Sequence, residues 1–446
     1  MSASGMTAIR RFSRTGAVFF ALVLAAVAVN LAAAVAMHRA GLQTGLWDLH
    51  FWLIYPGGHL PGWMPVDDSW MPMRKAYDWF AHPHRGTLYQ QVFFAQHVKF
   101  QYPPSSLLLF AIPDVLHHPL TDRFLNWIGW LAVVAEMAAV GVLAHFALPS
   151  AASRPLRIAV GATAALSVLS FHSVLWAFSL GQIQTWLNAC FALAALAYLT
   201  GRRRTAGAMI GFICLVKPQF GLFLVWALLR GDRRFLGGLL VVLVAGLALS
   251  LSWFGWANHV DYLSAISFMN RHGEAYYPNA SVNGVLNRFI GGSDPFTVDK
   301  TAFPPFNPLI YYVSLATSLG LIALALFVRG RHPVFDFLAA GVAFTIASPI
   351  AWVHHLGVLP PVFAVLAVTL LMRTPERQTW IGAVVLLVAY LASAVFIPPL
   401  SGCAAGLPSL IYALPLCGAL ACIVLLQFVV GRNNVDAMYV DQTNHI

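Results

Sequence analysis

The sequence predicts an all-α polytopic membrane protein, and three observations carry that reading. Of its 446 residues, 59% are hydrophobic and only 9% charged, whereas soluble domains carry about a quarter charged residues. Apolar stretches of 17 to 25 residues recur along the chain, each long enough to cross a roughly 30 Å hydrocarbon core as a helix. The basic residues fall in short bursts between these stretches, as the positive-inside rule places them in cytoplasmic loops.

The stretches run 16–38, 124–148, 157–178, 182–200, 236–256, 308–328, 333–353, 356–372, 379–397 and 408–430. The first follows Arg10, Arg11 and Arg14. It is longer than a signal-peptide core and lacks a convincing cleavage site, so it reads as an uncleaved helix. Two regions are less regular. Residues 105–118 are short and broken by Pro113, and residues 205–229 are interrupted by Lys217-Pro218.

The bursts Arg10 to Arg14, Arg202 to Arg204, Arg230 to Arg234, Arg329 to Arg331 and Arg373 to Arg377 all go inside. That leaves two large outer loops, at about 39–104 and 257–307. It also makes 205–229 a hairpin bending near Lys217-Pro218, with 105–118 dipping in without crossing. The alternative lets both regions cross once and sets Arg202 to Arg204 on the wrong face. The chain is then one transmembrane domain over 1–432, with a polar tail over 433–446. Trp47, Trp52, Trp63, Trp70 and Trp79 make the first outer loop an ordered, interface-lying segment rather than a disordered linker.

The net charge of +10 admits a nucleic-acid partner, but the basic residues form no patch interleaved with aromatics, so none is expected. The five cysteines show neither a disulfide framework nor metal-ligand spacing. No metal and no cofactor is expected. The partners expected are membrane lipids and a lipid-borne substrate.

Few polar groups stand where chemistry could use them. Asp48 lies in Trp47-Asp48-Leu49-His50-Phe51-Trp52, past the outer end of the first span. A carboxylate among bulky rings at an interface is partly desolvated, which suits it to be a base; the same residue could cap a helix. Tyr102-Pro103-Pro104 enters the short apolar dip. Gln182 sits in a tight turn between two spans, where an amide can hold a sugar hydroxyl or cap a helix. Lys217-Pro218-Gln219 places an ammonium within an apolar run, at a cost of at least ~2.5 kcal/mol on insertion scales. Such a group faces a cavity or snorkels from a hairpin tip. In the second outer loop, Asn283 and Arg288 belong to a stretch whose arginine can meet an anion such as phosphate or pair with Asp294. Ser348-Pro349 breaks the helix before His354 and His355, two adjacent imidazoles that point about 100° apart on a helix and do not comfortably chelate one metal.

Taken in order, these motifs resemble glycosyltransferase family 87: the first-loop Asp48, Tyr102-Pro103-Pro104, Gly181-Gln182, Lys217-Pro218-Gln219, Asn283-Gly284 with Arg288, and Ser348-Pro349 before Trp352 and His354-His355. The resemblance covers residues 45–370. It implies a GT-C-type fold and a polyprenyl-phosphate sugar donor, with mannose the expected hexose. It further implies a lipid or glycan acceptor and chemistry at the extracytoplasmic face of a bacterial inner (plasma) membrane. It makes Asp48 the general base, Lys217 the lysine of the family's Lys-Pro motif, and His354 or His355 the histidine near the donor phosphate. Leu49 and His50 separate Asp48 from Phe51, where the family places an aromatic directly after the aspartate. The rival reading is a transporter or flippase of a lipid-linked or anionic solute. It expects internal repeats and a midplane site; the sequence carries a broken helix but no repeat.

Overall fold

The computed structural model describes residues 67–429, apart from 83–84, 150–151, 293, 297–301, 331, 374–375, 396 and 398, with isolated positions between 21 and 32. Asp48, Trp47, Trp52, Trp63 and the tail 433–446 lie outside the described residues, as does most of the first expected span.

Among the described residues every regular element is helical, and the one β-type pairing is an isolated bridge between Asn279 and Trp352. In chain order the helices are α1 (Trp70–Ala81), α2 (Leu108–Val115), α3 (Asp122–Ala147), α4 (Arg154–Val168), α5 (His172–Ser179), α6 (Gln184–Leu199) and α7 (Arg203–Cys214). There follow α8 (Leu222–Arg230), α9 (Arg233–His272), α10 (Val282–Ile290), α11 (Pro308–Phe327), α12 (Pro333–Ile346), α13 (Pro360–Leu371), α14 (Arg377–Ala394) and α15 (Leu414–Val424). Several starts are written locally. Thr121, Asp232, Ser281 and Asn307 cap α3, α9, α10 and α11 through their side chains. Proline occupies the first turn of α4, α11, α12 and α13, where a missing N–H costs no hydrogen bond.

The chain is an all-α polytopic membrane protein. Five helical segments are long and apolar enough to cross a bilayer: Asp122–Ala147, Arg233–His272, Pro308–Phe327, Arg377–Ala394 and Leu407–Gln427. A sixth crossing is available if α4 and α5, bent by 49° at their junction, act as one span. Large apolar side chains such as Val241, Val244, Leu319 and Val388 face outward from these helices, as a lipid-facing surface requires.

Several expected elements end differently, among them 157–178, which breaks at 169–171 into α4 and α5. The stretch 333–353 is not one helix: α12 stops at Ile346, ahead of Pro349, and the chain resumes in a 3-10 turn at Val353–Val358. Proline lacks the N–H that a continuing helix needs. The expected loop 257–307 begins as helix, since α9 continues to His272 beyond Gly255, whose φ of +74° marks a kink. Glycine alone reaches that region cheaply. The kinked end places Asn258 and Asp261 to accept hydrogen bonds from the Leu88, Tyr89 and Gln90 amides, which anchors the start of the π-helix Tyr89–Ala95.

Close glycine packing sets the course of residues 203–230. A Cβ on Gly207 would overlap the Phe235 carbonyl, and one on Gly238 would overlap that of Arg204. Gly211 lies against Leu239 and Val242, and Gly246 against Leu215. The two series climb together, so α7 and the first half of α9 run parallel at backbone contact, the approach that small residues four apart permit. Between them α8 must return, which makes 203–230 a hairpin with Lys217-Pro218 at its tip. Its open end gathers basic residues: Arg203 lies 3.8 Å from Asp232 and over the Tyr198 ring, and Arg230 bonds Asp336 at 2.6 Å. Arg329 donates to the Leu229 carbonyl at 2.8 Å. The twelve residues of α7 set the tip about 18 Å from this basic end, at about 1.5 Å per residue.

Candidate active site

Two breaks in the helical bundle meet at the hairpin tip. On one side Lys217 leaves α7 with a non-helical backbone (φ −127°, ψ 89°), because Pro218 follows it. On the other, the segment after α12 turns through Trp352, which is extended, into the 3-10 turn that carries His354 and His355. Lys217 Nζ stands 2.5 Å from His355 Nε2. One group donates and the other accepts, with the roles set by the imidazole tautomer. The His354 ring stands edge-on to that of His355, with centroids 4.8 Å apart. Both histidines are buried, and the Nδ1 of each has no hydrogen-bond partner among the described residues.

A second cluster forms where the end of the first loop meets the turn between α5 and α6. The Asp68 and Ser69 amides donate to the Leu180 and Gly181 carbonyls. Gly181 has φ +67°, the left-handed conformation that lets the turn present its carbonyl at so sharp a bend. Ser69 Oγ donates to Gln182 Oε1 at 2.7 Å, Tyr102 Oη reaches the same oxygen at 3.2 Å, and the Gln182 amide donates to Asp68. Asp68 is exposed although Ser69 and Gln182 beside it are buried. Burial chiefly, and the Asp68 carboxylate in smaller part, push the Tyr102 hydroxyl up against the lowering effect of its Ser69 hydrogen bond. Burial and then Asp68 likewise push Tyr276 up. Both therefore remain phenols, able to donate. This cluster adjoins the first, because Ser105, directly after Pro103-Pro104, donates to the Leu215 carbonyl at 2.5 Å.

The third part comes from the loop after α9. The Ala280 amide donates to Ala351 and the Val353 amide to Pro278, at 2.7 and 2.8 Å, while Asn279 donates to the Pro349 carbonyl. This pairing docks the loop on the segment that carries the histidines. Tyr276 faces Trp352, which in turn stacks near His354. From α10, Arg288 is 2% exposed. Its Nη1 donates to the Asn279 and Tyr276 carbonyls, and its Nε and Nη2 have no hydrogen-bond partner among the described residues. Burial lowers it to about 10, which leaves it charged at neutral pH. Asn283 Nδ2 is likewise buried without a partner there. An apolar cavity lined by Trp176, Tyr277, Val353 and Tyr412 lies beside this loop.

Of the residues singled out from sequence, Lys217 meets His355, whose ring packs against His354. Gln182 and Tyr102 share the Asp68 cluster, and Asn283 and Arg288 sit on α10 with unused donors. Gln219 is half-buried in the 3-10 turn Pro218–Gly221. Arg288 does not take up the pairing with Asp294; its bonds go to backbone carbonyls instead. Asp48 lies outside the described residues. The carboxylate that the described residues do bring to the Gln182 turn is Asp68, which sequence reasoning passed over. Its neighbours Asp67 and Ser69 read as a polar loop, and nothing local signals the pairing with Leu180 and Gly181. Among the described residues no group of three or more His, Cys, Asp or Glu is arranged to hold a metal ion.

A family model described as Glycosyltransferase family 87 matches residues 100–353. Those residues include Lys217-Pro218, the Gln182 turn, the α10 loop and Pro349, and end one residue before His354. No curated protein and no solved structure matches the chain.

Proposed function

This chain belongs to glycosyltransferase family 87, and from that premise we propose that it moves a hexose, mannose, from a polyprenyl-phosphate donor to a lipid or glycan acceptor. We infer further that it does so at the extracytoplasmic face of a bacterial inner membrane. That it is a membrane glycosyltransferase follows from the family and the apolar helices. The donor, the sugar and the face are the proposal.

The observation that carries the donor reading is the Lys217–His355 contact at 2.5 Å, together with Arg288 of α10, whose Nε and Nη2 have no hydrogen-bond partner among the described residues. A sugar bound to a lipid phosphate leaves with that phosphate, which needs no acid to protonate it. It needs cations and hydrogen-bond donors around the developing charge. Lys217, His355 and Arg288 are suited to supply them. The acceptor hydroxyl needs a base. Asp68 suits that role by its exposure and by the Gln182, Tyr102 and Tyr276 groups around it. Asp48, the base implied by the sequence resemblance, is its rival. A single displacement with one carboxylate inverts the anomeric centre, so a β-linked donor gives an α-glycoside. Charge supports the face: with the basic end of the bundle inside, as the positive-inside rule favours, the hairpin tip turns outward.

The test offers membranes two radiolabelled donors, polyprenyl-phosphate mannose and a nucleotide-activated mannose, with the lipid-phosphate synthase of the host blocked. Label passes to lipid or glycan from the first donor alone. Label that passes only from the nucleotide sugar, or that crosses the bilayer without changing its linkage, overturns the reading.

A further inference from the structure

The imidazole that meets Lys217 sits on a short turn that follows a helix break. The turn Val353–Val358 is 3-10, a form with poor hydrogen-bond geometry, and all six of its residues are buried. Its one side-chain tether from α6 is Asn188, whose Nδ2 donates to the His354 carbonyl at 3.3 Å. Asn188 is fully buried. Its own orientation is set one helical turn earlier, where Gln184 Nε2 donates to Asn188 Oδ1 at 2.6 Å. With the oxygen so engaged, the amide nitrogen must face the turn. Gly357 completes the fit, because a Cβ there would overlap the Asn188 amide nitrogen. A buried amide is costly unless both its ends are used, and α6 spends this one on the peptide that joins the two histidines.

We propose that Asn188 is a positioning residue for the donor-phosphate end of the site: oriented by Gln184, it fixes the His354–His355 turn so that His355 meets Lys217. The proposal rests on the functional reading above for its kinetic test, but the geometry it asserts has a readout without turnover.

Kinetically, Asn188→Ala lowers kcat on the order of 100-fold, the scale expected when a reacting group shifts by about 1 Å, and leaves the acceptor KM unchanged. In a His355→Ala background the same substitution costs no more than about twofold, because both changes break one unit. Gly357→Ala, which disturbs the contact from the other side, behaves the same way, and adding it to Asn188→Ala costs little more. Losses that multiply overturn the proposal, as does full activity of Asn188→Ala. Should Asn188→Ala fail to accumulate, the Gly357→Ala cycle carries the test alone. Independently of turnover, 15N-histidine-labelled protein in nanodiscs gives a His355 Nε2 resonance, assigned by its loss in His355→Ala. Asn188→Ala or Gly357→Ala moves that resonance and Lys217→Ala moves it in the same direction. An unmoved signal overturns the positioning role whatever the donor proves to be. A wild type inert toward polyprenyl-phosphate mannose with a signal that does move counts against the donor reading alone.

Discussion

Lys217 Nζ and His355 Nε2 stand 2.5 Å apart although 138 residues separate them in sequence. Each is delivered by a helix that a proline has stopped. Neither break makes sense as a stable element alone, since each frees backbone groups that lipid cannot satisfy. Together they enclose a polar site within an apolar bundle, and the predictions below follow from that arrangement.

The acceptor base is assigned by comparing two carboxylates. Asp68→Asn keeps the shape of the Gln182 cluster and removes the proton acceptor. It lowers kcat by about 100-fold or more, the scale of a lost general base, with little change in donor KM. Asp48→Asn leaves kcat within about threefold. The reverse ranking in a transfer assay on purified enzyme returns the base to Asp48.

Arg288 trades stability for binding. A cation 2% exposed whose two donors have no partner among the described residues is a cost to folding that a ligand anion recovers. Arg288→Met therefore raises the unfolding temperature of the unliganded protein in detergent. It also lowers kcat/KM for the donor by about 100-fold. A variant less stable than wild type would show that the guanidinium serves the fold instead.

Adjacent glycines of α9 answer oppositely to one substitution. Nothing stands within 4 Å of a Cβ on Gly237, whereas one on Gly238 would overlap the Arg204 carbonyl. Gly237→Ala is therefore neutral or stabilising by about 0.5–1 kcal/mol, the helix-propensity gain. Gly238→Ala forces α7 away from α9 and lowers both folded yield and activity, since Lys217 rides on that hairpin. Equal behaviour of the two variants, read by fluorescence-detected gel filtration, would refute parallel backbone contact between these helices.

Much of the fold was legible from hydropathy. The stretches 124–148, 308–328 and 379–397 correspond to α3 (Asp122–Ala147), α11 (Pro308–Phe327) and α14 (Arg377–Ala394), because a lipid-crossing helix must be apolar over its whole length. The hairpin tip at Lys217-Pro218 was legible for a related reason: a charge and a proline together are intolerable in a continuous span. Less visible was where polar backbone could persist. The continuation of α9 past Gly255 depends on Asn258 and Asp261 finding the amides near Tyr89, some 170 residues away in sequence, and no local pattern encodes such a partner. The same limit hid Asp68. Its surroundings give weaker cues than the Trp-rich setting of Asp48, and its place beside Gln182 comes from backbone pairing with the Leu180–Gly181 turn.

The most direct measurement is transfer from radiolabelled polyprenyl-phosphate mannose by purified protein in nanodiscs, for wild type, Lys217→Ala, His355→Ala and the double variant. If the amine and the imidazole form one phosphate-binding unit, each single change costs about 100-fold and the pair costs little more than either. Wild-type turnover by Lys217→Ala, or losses that multiply in the double variant, would contradict it.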